Sequence, residues 1–280
     1  MTTVPDDPRT ASPATAQLPQ KAFLEQLIAE FEKLVEKITD MKAISPTFKK
    51  SLLTELYVCR TILFASFTLG VRAGGLSLFY TPIREIFGYF ILFLLTYGLF
   101  PIIGLNIAYA SFKKHITESE FKVLIITWAF FAGVFSIANN IHYSLGDYGT
   151  PTYFMPIIVG LTFNWIGEQY YNDRRRLLTI SVGSASVVSL SLLLVTGGLS
   201  IATIFSVILC SLNATIALQL LIADVNENGE KVVAPFTHAI GVIMLMINYL
   251  IITRIFGKYI ENASENHVQN SAPLHSIFSQ

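Results

Sequence analysis

Charge is what this chain has least of. Lys, Arg, Asp and Glu make up 14% of its 280 residues, roughly half the ~25% usual for a soluble domain. Much of that charge lies in residues 1–50 and 258–280, with long uncharged stretches between. A soluble globular enzyme and a disordered regulator are excluded on this ground. Basic and acidic residues balance at 19 each, so no nucleic acid or other polyanion is implied as a partner. Cysteine is also scarce. Cys59 and Cys210 both fall inside apolar runs, where they read as packing residues rather than a disulfide or a metal site. No cofactor and no metal is expected. The first residues lack a basic start followed by an apolar core, so no cleavable signal peptide is expected and the first span serves as its own insertion signal. What remains abundant is apolar: 52% of residues are hydrophobic and the mean hydropathy is +0.56. The apolar runs are too long for barrel strands, and only helices and closed barrels satisfy their backbone in lipid. The expected fold is all-α, a polytopic membrane helix bundle of six to seven transmembrane segments, with the lipid bilayer as its first partner.

Four regions follow. Residues 1–20, rich in Pro and Thr, read as a disordered tail. Residues 21–43 read as an amphipathic cytosolic helix, because Leu24, Leu27, Phe31, Leu34, Ile38 and Met41 recur at spacings of three and four. That stripe fits a surface helix lying on the membrane or on the protein itself. It also fits a partner-binding or coiled-coil helix. Residues 44–258 form the transmembrane domain and 259–280 a polar tail. Ser45-Pro46 supplies an N-cap and a first-turn proline. Spans are expected at 52–73, 86–110, 121–140, 151–170, 177–196, 199–222 and 232–257. In the first, Glu55 and Arg60 are expected to snorkel to the near interface.

Lys and Arg alternate strongly between the two sets of connections. One side receives Lys49, Lys50, Lys113, Lys114, Lys122, Arg174, Arg175, Arg176 and Lys231; the other receives Arg72 and Arg84 and nothing in 141–150 or 197–198. The rich side is expected to be cytosolic, with the N-terminus on it. Seven crossings would put the C-terminus outside, whereas Arg254 and Lys258 argue the other way.

The order of several short stretches resembles the Bax inhibitor family of membrane proteins, also called the transmembrane Bax-inhibitor-motif or lifeguard family. The chain is most similar to its eukaryotic Bax inhibitor branch. The stretches are Ile44-Ser45-Pro46-Thr47 with Leu56-Tyr57, then Thr152-Tyr153-Phe154-Met155, then Arg174-Arg175-Arg176 with Ser191-Leu192-Leu193-Leu194. Gln219-Leu220-Leu221-Ile222, Asn228-Gly229-Glu230, His238 and Ile252-Thr253-Arg254-Ile255 complete the series, over residues 40–258. The resemblance implies a bundle of six or seven helices in the endoplasmic reticulum membrane. It implies suppression of stress-induced cell death, with cell-death regulatory membrane proteins as partners, and lowering of the calcium store through a pH-sensitive leak of calcium or protons. In that family the leak is tied to two acidic residues, which in low dielectric share a proton. Here the positions that the resemblance assigns to them hold Ala217 and Leu245, and no Asp or Glu lies in 199–222 or 232–257.

The residues themselves offer other polar groups. Thr203, Ser206, Cys210, Asn213 and Ala217 follow three-four spacing in one span, and His238, Gly241, Leu245 and Asn248 follow it in the next. The two stripes are expected to face inward. Asn213, His238 and Asn248 are then either packing ties between helices or the members of a polar ion or water path, with His238 the ionisable one. Glu168 and Asp173 beside Arg174–Arg176 read as an interfacial charge cluster. Asp224, Asn226, Glu227 and Glu230 lack the spacing of a calcium-binding hand. Asn213-Ala214-Thr215 is a buried sequon, and Asn262-Ala263-Ser264 is usable only from the lumen. A hydrolase built on Ser184 and His238, a small-ion or solute transporter interrupted at Pro101 and Pro156, and a non-conducting regulator acting through protein contacts are the competing classes; enzyme chemistry is not expected.

Overall fold

The computed structural model describes residues 29, 32–44, 48–144, 154–196, 198–228 and 234–259. The chain divides into two units, Met1–Asp40 and Met41–Gln280. In the first unit residues 32–39 are helical, with the Thr39 hydroxyl donating to the Val35 carbonyl at 2.8 Å. Leu34 and Ile38 of the expected stripe are half-buried there; Leu24, Leu27 and Phe31 lie outside the described residues, as does Ser45-Pro46. The helix stops at residue 39 rather than 43.

The second unit holds α1 Lys50–Gly74, α2 Ser77–Leu94, α3 Phe100–Phe112, α4 Glu118–Asn140, α5 Met155–Ile166, α6 Arg174–Val195, α7 Ile201–Asn228 and α8 Pro235–Phe256. Among the described residues, six helices are long and apolar enough to cross a membrane, α2 and α3 counting as one from Leu78 to Phe112. This is an all-α polytopic membrane bundle. Its outer faces carry Trp165, Val195, Leu78 and Ile201, each more than three-quarters exposed, a surface suited to lipid rather than water.

Local chemistry sets the helix ends. Thr117 and Glu120 form a reciprocal capping box at α4. Asp173 caps α6, accepting from the Arg176 N–H at 3.1 Å. Pro235 and Pro156 stand in the first turns of α8 and α5, where a missing N–H costs no helical hydrogen bond; Pro156 therefore opens its helix instead of interrupting it. Pro101 does follow an irregularity, a π turn at Leu95–Leu99.

Two expected spans differ from the structure. The second helix begins at Ser77, nine residues before residue 86, so Arg84 sits in helix and not in a loop. It breaks at Gly88, whose φ of 63° and ψ of 169° lie in a region that only glycine occupies readily. The fourth expected span, 151–170, is a twelve-residue helix followed by a 3-10 turn at Gly167–Tyr170, about 18 Å of α-helix. Residues 151–153 lie outside the described part.

Side-chain contacts fix which ends lie together. α1 and α4 run parallel, since Lys122 meets Glu55, the Ser66 hydroxyl donates to the Ile126 carbonyl, and Gly74 lies against Ile137. α5 returns to the start of α1, where the Ile44 N–H donates to the Tyr171 carbonyl at 2.9 Å and Lys50 pairs with Glu168 at 2.7 Å. α8 runs with α1, as Gly241 meets Arg60 and Tyr249 meets Phe67. The basic residues at the starts of α1, α4 and α6 thus gather at one end. At the opposite end, β1 Tyr143–Ser144 pairs antiparallel with β2 Lys258–Tyr259, and Arg254 packs over the Tyr143 ring at 4.3 Å, bonded to Asn140. The last helix therefore traverses the bundle, and Arg254 is an aromatic-cage residue there, not a sign that the end turns back. In a background with both cysteines replaced by serine, single cysteines at His142 and Lys258 should react with an impermeant maleimide from one side of a sealed vesicle, and Lys114→Cys from the other. Lys114 and Lys258 labelling from one side would contradict this arrangement.

Candidate functional site

The polar residues of the membrane interior converge on Arg60. It lies ten residues into α1 and is 2% exposed, about 15 Å along the helix from Lys50. The expected snorkelling does not occur, because an Arg stem cannot cover that depth and acceptors are waiting beside it. Glu55, nearer the helix start, is exposed as expected. The guanidinium donates through Nη2 to Asn213 Oδ1 of α7 at 2.9 Å and through Nη1 to the Thr237 carbonyl of α8 at 3.1 Å. The Phe64 ring lies 5.3 Å from its Cζ, an attractive arrangement for a desolvated cation. The Asn213 amide closes the triangle, donating to the Gly241 carbonyl at 3.4 Å.

Gly241 explains how so large a head group fits. A Cβ there would come within 2.5 Å of Arg60 Nη2. The Thr237 carbonyl accepts from the guanidinium, and the Thr237 hydroxyl donates to Asp224 Oδ2 at 2.9 Å. That contact tethers the acidic end of α7 to the start of α8. Among the described residues no carboxylate pairs with Arg60. The buried charge rests on one side-chain amide, one backbone carbonyl and one aromatic face.

The three sequence-derived candidates separate in this geometry. Asn213 is a ligand of Arg60. His238, 1% exposed, has a ring Nδ1 with no hydrogen-bond partner. Asn248 is buried on the far side of Gly241, its Nδ2 also without a partner. Ala217 and Leu245 are both buried, each one helical turn beyond the residue that meets Arg60, Asn213 and Gly241 respectively. Of the interfacial charges, Arg175 and Arg176 are exposed and Arg174 is buried at 3% exposure. Ser184 bonds to Thr162 at 2.9 Å and donates to the Ser181 carbonyl at 3.0 Å. It ties α6 to α5 and meets no imidazole.

Arg60 is the residue that sequence reasoning misplaced. Its depth of ten residues inside an apolar helix was the available signal, since a charge that far from the interface requires a partner inside. Gly70 and Gly74 were a second. Four apart on α1, they allow a close backbone approach to α4: a Cβ at Gly70 would overlap the Phe130 carbonyl, and one at Gly133 of α4 would overlap the Phe67 carbonyl. The α1 frame that carries Arg60 is thereby pressed against α4.

At the Lys-rich end a small cavity lies between α1, α4 and α8, with His238 in its wall and Lys122 at its edge. Lys122 pairs with Glu118 at 2.6 Å and Glu55 at 3.5 Å. Among the described residues no group of three His, Cys, Asp or Glu side chains is placed to hold a metal ion.

The fold and this centre define a class: a multi-pass helical membrane protein with a buried guanidinium at the junction of three of its helices. Comparison with family models, curated proteins and solved structures finds no match.

Proposed function

We propose that this chain is a Bax-inhibitor-like protein of the endoplasmic reticulum membrane, its Lys-rich end in the cytosol, that restrains stress-induced cell death and modulates calcium handling without conducting calcium itself. Support for the family reading is the order of the resembling stretches over residues 40–258. Support for the cytosolic orientation is the gathering of basic residues at one end. Support for a non-conducting centre is a single observation: Arg60 is held by Asn213 and the Thr237 carbonyl, with no carboxylate partner among the described residues. A dication 4 Å from this fixed charge would face about 8 kcal/mol of repulsion at an effective dielectric constant of ~20. A carboxylate pair would reverse that sign, and Ala217 and Leu245 supply none. On this reading the protein acts through contacts with other membrane proteins.

Purified protein in calcium-loaded liposomes should show no leak above protein-free liposomes that switches between about pH 6 and 8. In cells under endoplasmic reticulum stress, the same protein should raise survival. A strong pH-gated calcium leak by the wild-type protein overturns the non-conducting reading. Survival no different from that of empty-vector cells overturns the cell-death reading.

A further inference from the structure

The apolar stretch from Leu78 to Phe112 is 35 residues long. As one continuous helix it would measure about 52 Å, against ~30 Å of bilayer hydrocarbon. The break at Gly88 divides that length. Beyond it the chain runs antiparallel along α4: the Asn139 amide donates to the Leu92 carbonyl at 3.0 Å, and the Trp128 indole donates to the Phe100 carbonyl at 2.9 Å. Residues 88–112, about 37 Å as helix, are therefore long enough to cross without 77–87.

Residues 77–87 do not extend that line. A Cβ on Gly74, just before them, would touch Val134 and Ile137 of α4. At their other end the Phe87 ring lies 6.4 Å from the Phe135 ring. About 16 Å of helix thus starts and finishes beside the same turn of α4, so it lies across the bundle axis, near the end opposite the Lys-rich one. At about 100° per residue its side chains fall into three sectors, each roughly a third of the circumference. Tyr80, Ile83 and Phe87 face the bundle and pack with Ile137 and Ile141. Arg84 and Glu85 form an exposed charged sector. Leu78, Pro82 and Ile86 form an exposed apolar one, in which Leu78 and Ile86 are 78% and 73% exposed. A crosswise helix with separate apolar and charged exposed sectors is the pattern of a helix lying in a membrane interface.

We infer that residues 77–87 are a phospholipid-binding surface helix, lying in the plane of the leaflet opposite the Lys-rich end, with Leu78, Pro82 and Ile86 among the acyl chains and Arg84 at the phosphates. Gly88 makes the corner between this helix and the span. Its φ of 63°, with the extended ψ, is a conformation that only glycine adopts readily. The surface rests neither on the Arg60 centre nor on the family resemblance.

Spin labelling of the full chain in phosphatidylcholine vesicles tests this. In a background with both cysteines replaced by serine, nitroxides are attached to Leu78→Cys, Arg84→Cys, Glu85→Cys and Ile86→Cys. Each is read for collision with oxygen, which concentrates in lipid, and with a water-soluble nickel chelate. Labels at 78 and 86 should favour oxygen, at about 5–10 Å below the phosphates and at depths equal to within about 3 Å. Labels at 84 and 85 should favour nickel. A depth difference of about 12 Å between 78 and 86, the rise of eight residues along a transverse helix, overturns the proposal. Nickel access at 78 and 86 equal to that at 84 and 85 also overturns it, as does shielding of 78 and 86 from both reagents, the sign of a protein covering the face. The wild-type protein gives a second reading that needs no variant. Photolysis in vesicles whose phospholipid carries an acyl-chain diazirine should label 77–87 as well as 102–112. Label in 102–112 with none in 77–87 overturns the proposal.

Discussion

Asn213→Leu should lower the stability of the bundle by on the order of 3 kcal/mol, more than any other loss of a single side-chain hydrogen bond in the structure. The substitution is apolar and keeps the branched outline of the side chain; Leu is the larger residue, and its overpacking adds to the loss. What changes is the guanidinium. Arg60 keeps the Thr237 carbonyl and the Phe64 face but loses the only side-chain acceptor it has among the described residues, 2.9 Å away. An under-solvated charge in the interior is far costlier than an ordinary broken hydrogen bond. Between neutral groups in membrane bundles such bonds are worth about 0.6 kcal/mol, which sets the scale for comparison. Asn213→Asp, which offers a carboxylate at the same distance, should retain stability. Reversible unfolding in mixed micelles reads both. An Asn213→Leu loss below about 1 kcal/mol would mean that Arg60 is solvated from elsewhere.

Gly133→Leu should be at least as damaging, for a different reason. Lipid provides little hydrophobic drive for one helix to leave it for another, so association rests on close packing. Around Gly133 and Gly70 the backbones of α1 and α4 approach so nearly that a single Cβ overlaps a carbonyl of the partner helix. No rotamer change relieves a clash with backbone; the helices must separate. Overpacking costs about 1–3 kcal/mol where side chains can yield, and more here. The separation would also open the cavity between α1, α4 and α8. Expected outcomes are a loss above about 3 kcal/mol and a drop in monodisperse yield. A Gly133→Leu protein within about 0.5 kcal/mol of wild type would show that the two helices do not meet at these glycines.

How far the sequence revealed this structure depends on the kind of interaction. The transmembrane class was legible because it is a property of composition: every run that must cross lipid is predominantly apolar. The polar stripe around Asn213 was legible from three-four spacing, since a helix face is a local pattern. The helix at residues 77–87 was not, because Pro82, Arg84 and Glu85 resemble a loop and only the Gly88 break lets this segment turn independently of the span. Arg60 was assigned to the interface because its partners are 153 and 177 residues away, and nothing local announces them. The traverse of α8 was ambiguous for the same reason. Arg254 and Lys258 carry the charge of a cytosolic end, yet a two-residue strand pairing with Tyr143–Ser144 holds that end beside the close of α4.

The account's central claim is that a buried guanidinium and Asn213 act as one unit at the core of the bundle. A double-mutant cycle of Arg60→Met and Asn213→Leu, read by reversible unfolding in mixed micelles, tests it most directly. Arg60→Met alone strands only neutral acceptors and should cost about 1–3 kcal/mol. In the Asn213→Leu background the same change removes the stranded charge, so the double variant should be more stable than Asn213→Leu alone, with a coupling of about 1.5 kcal/mol or more. Additive losses, with coupling below about 0.3 kcal/mol, would contradict the claim.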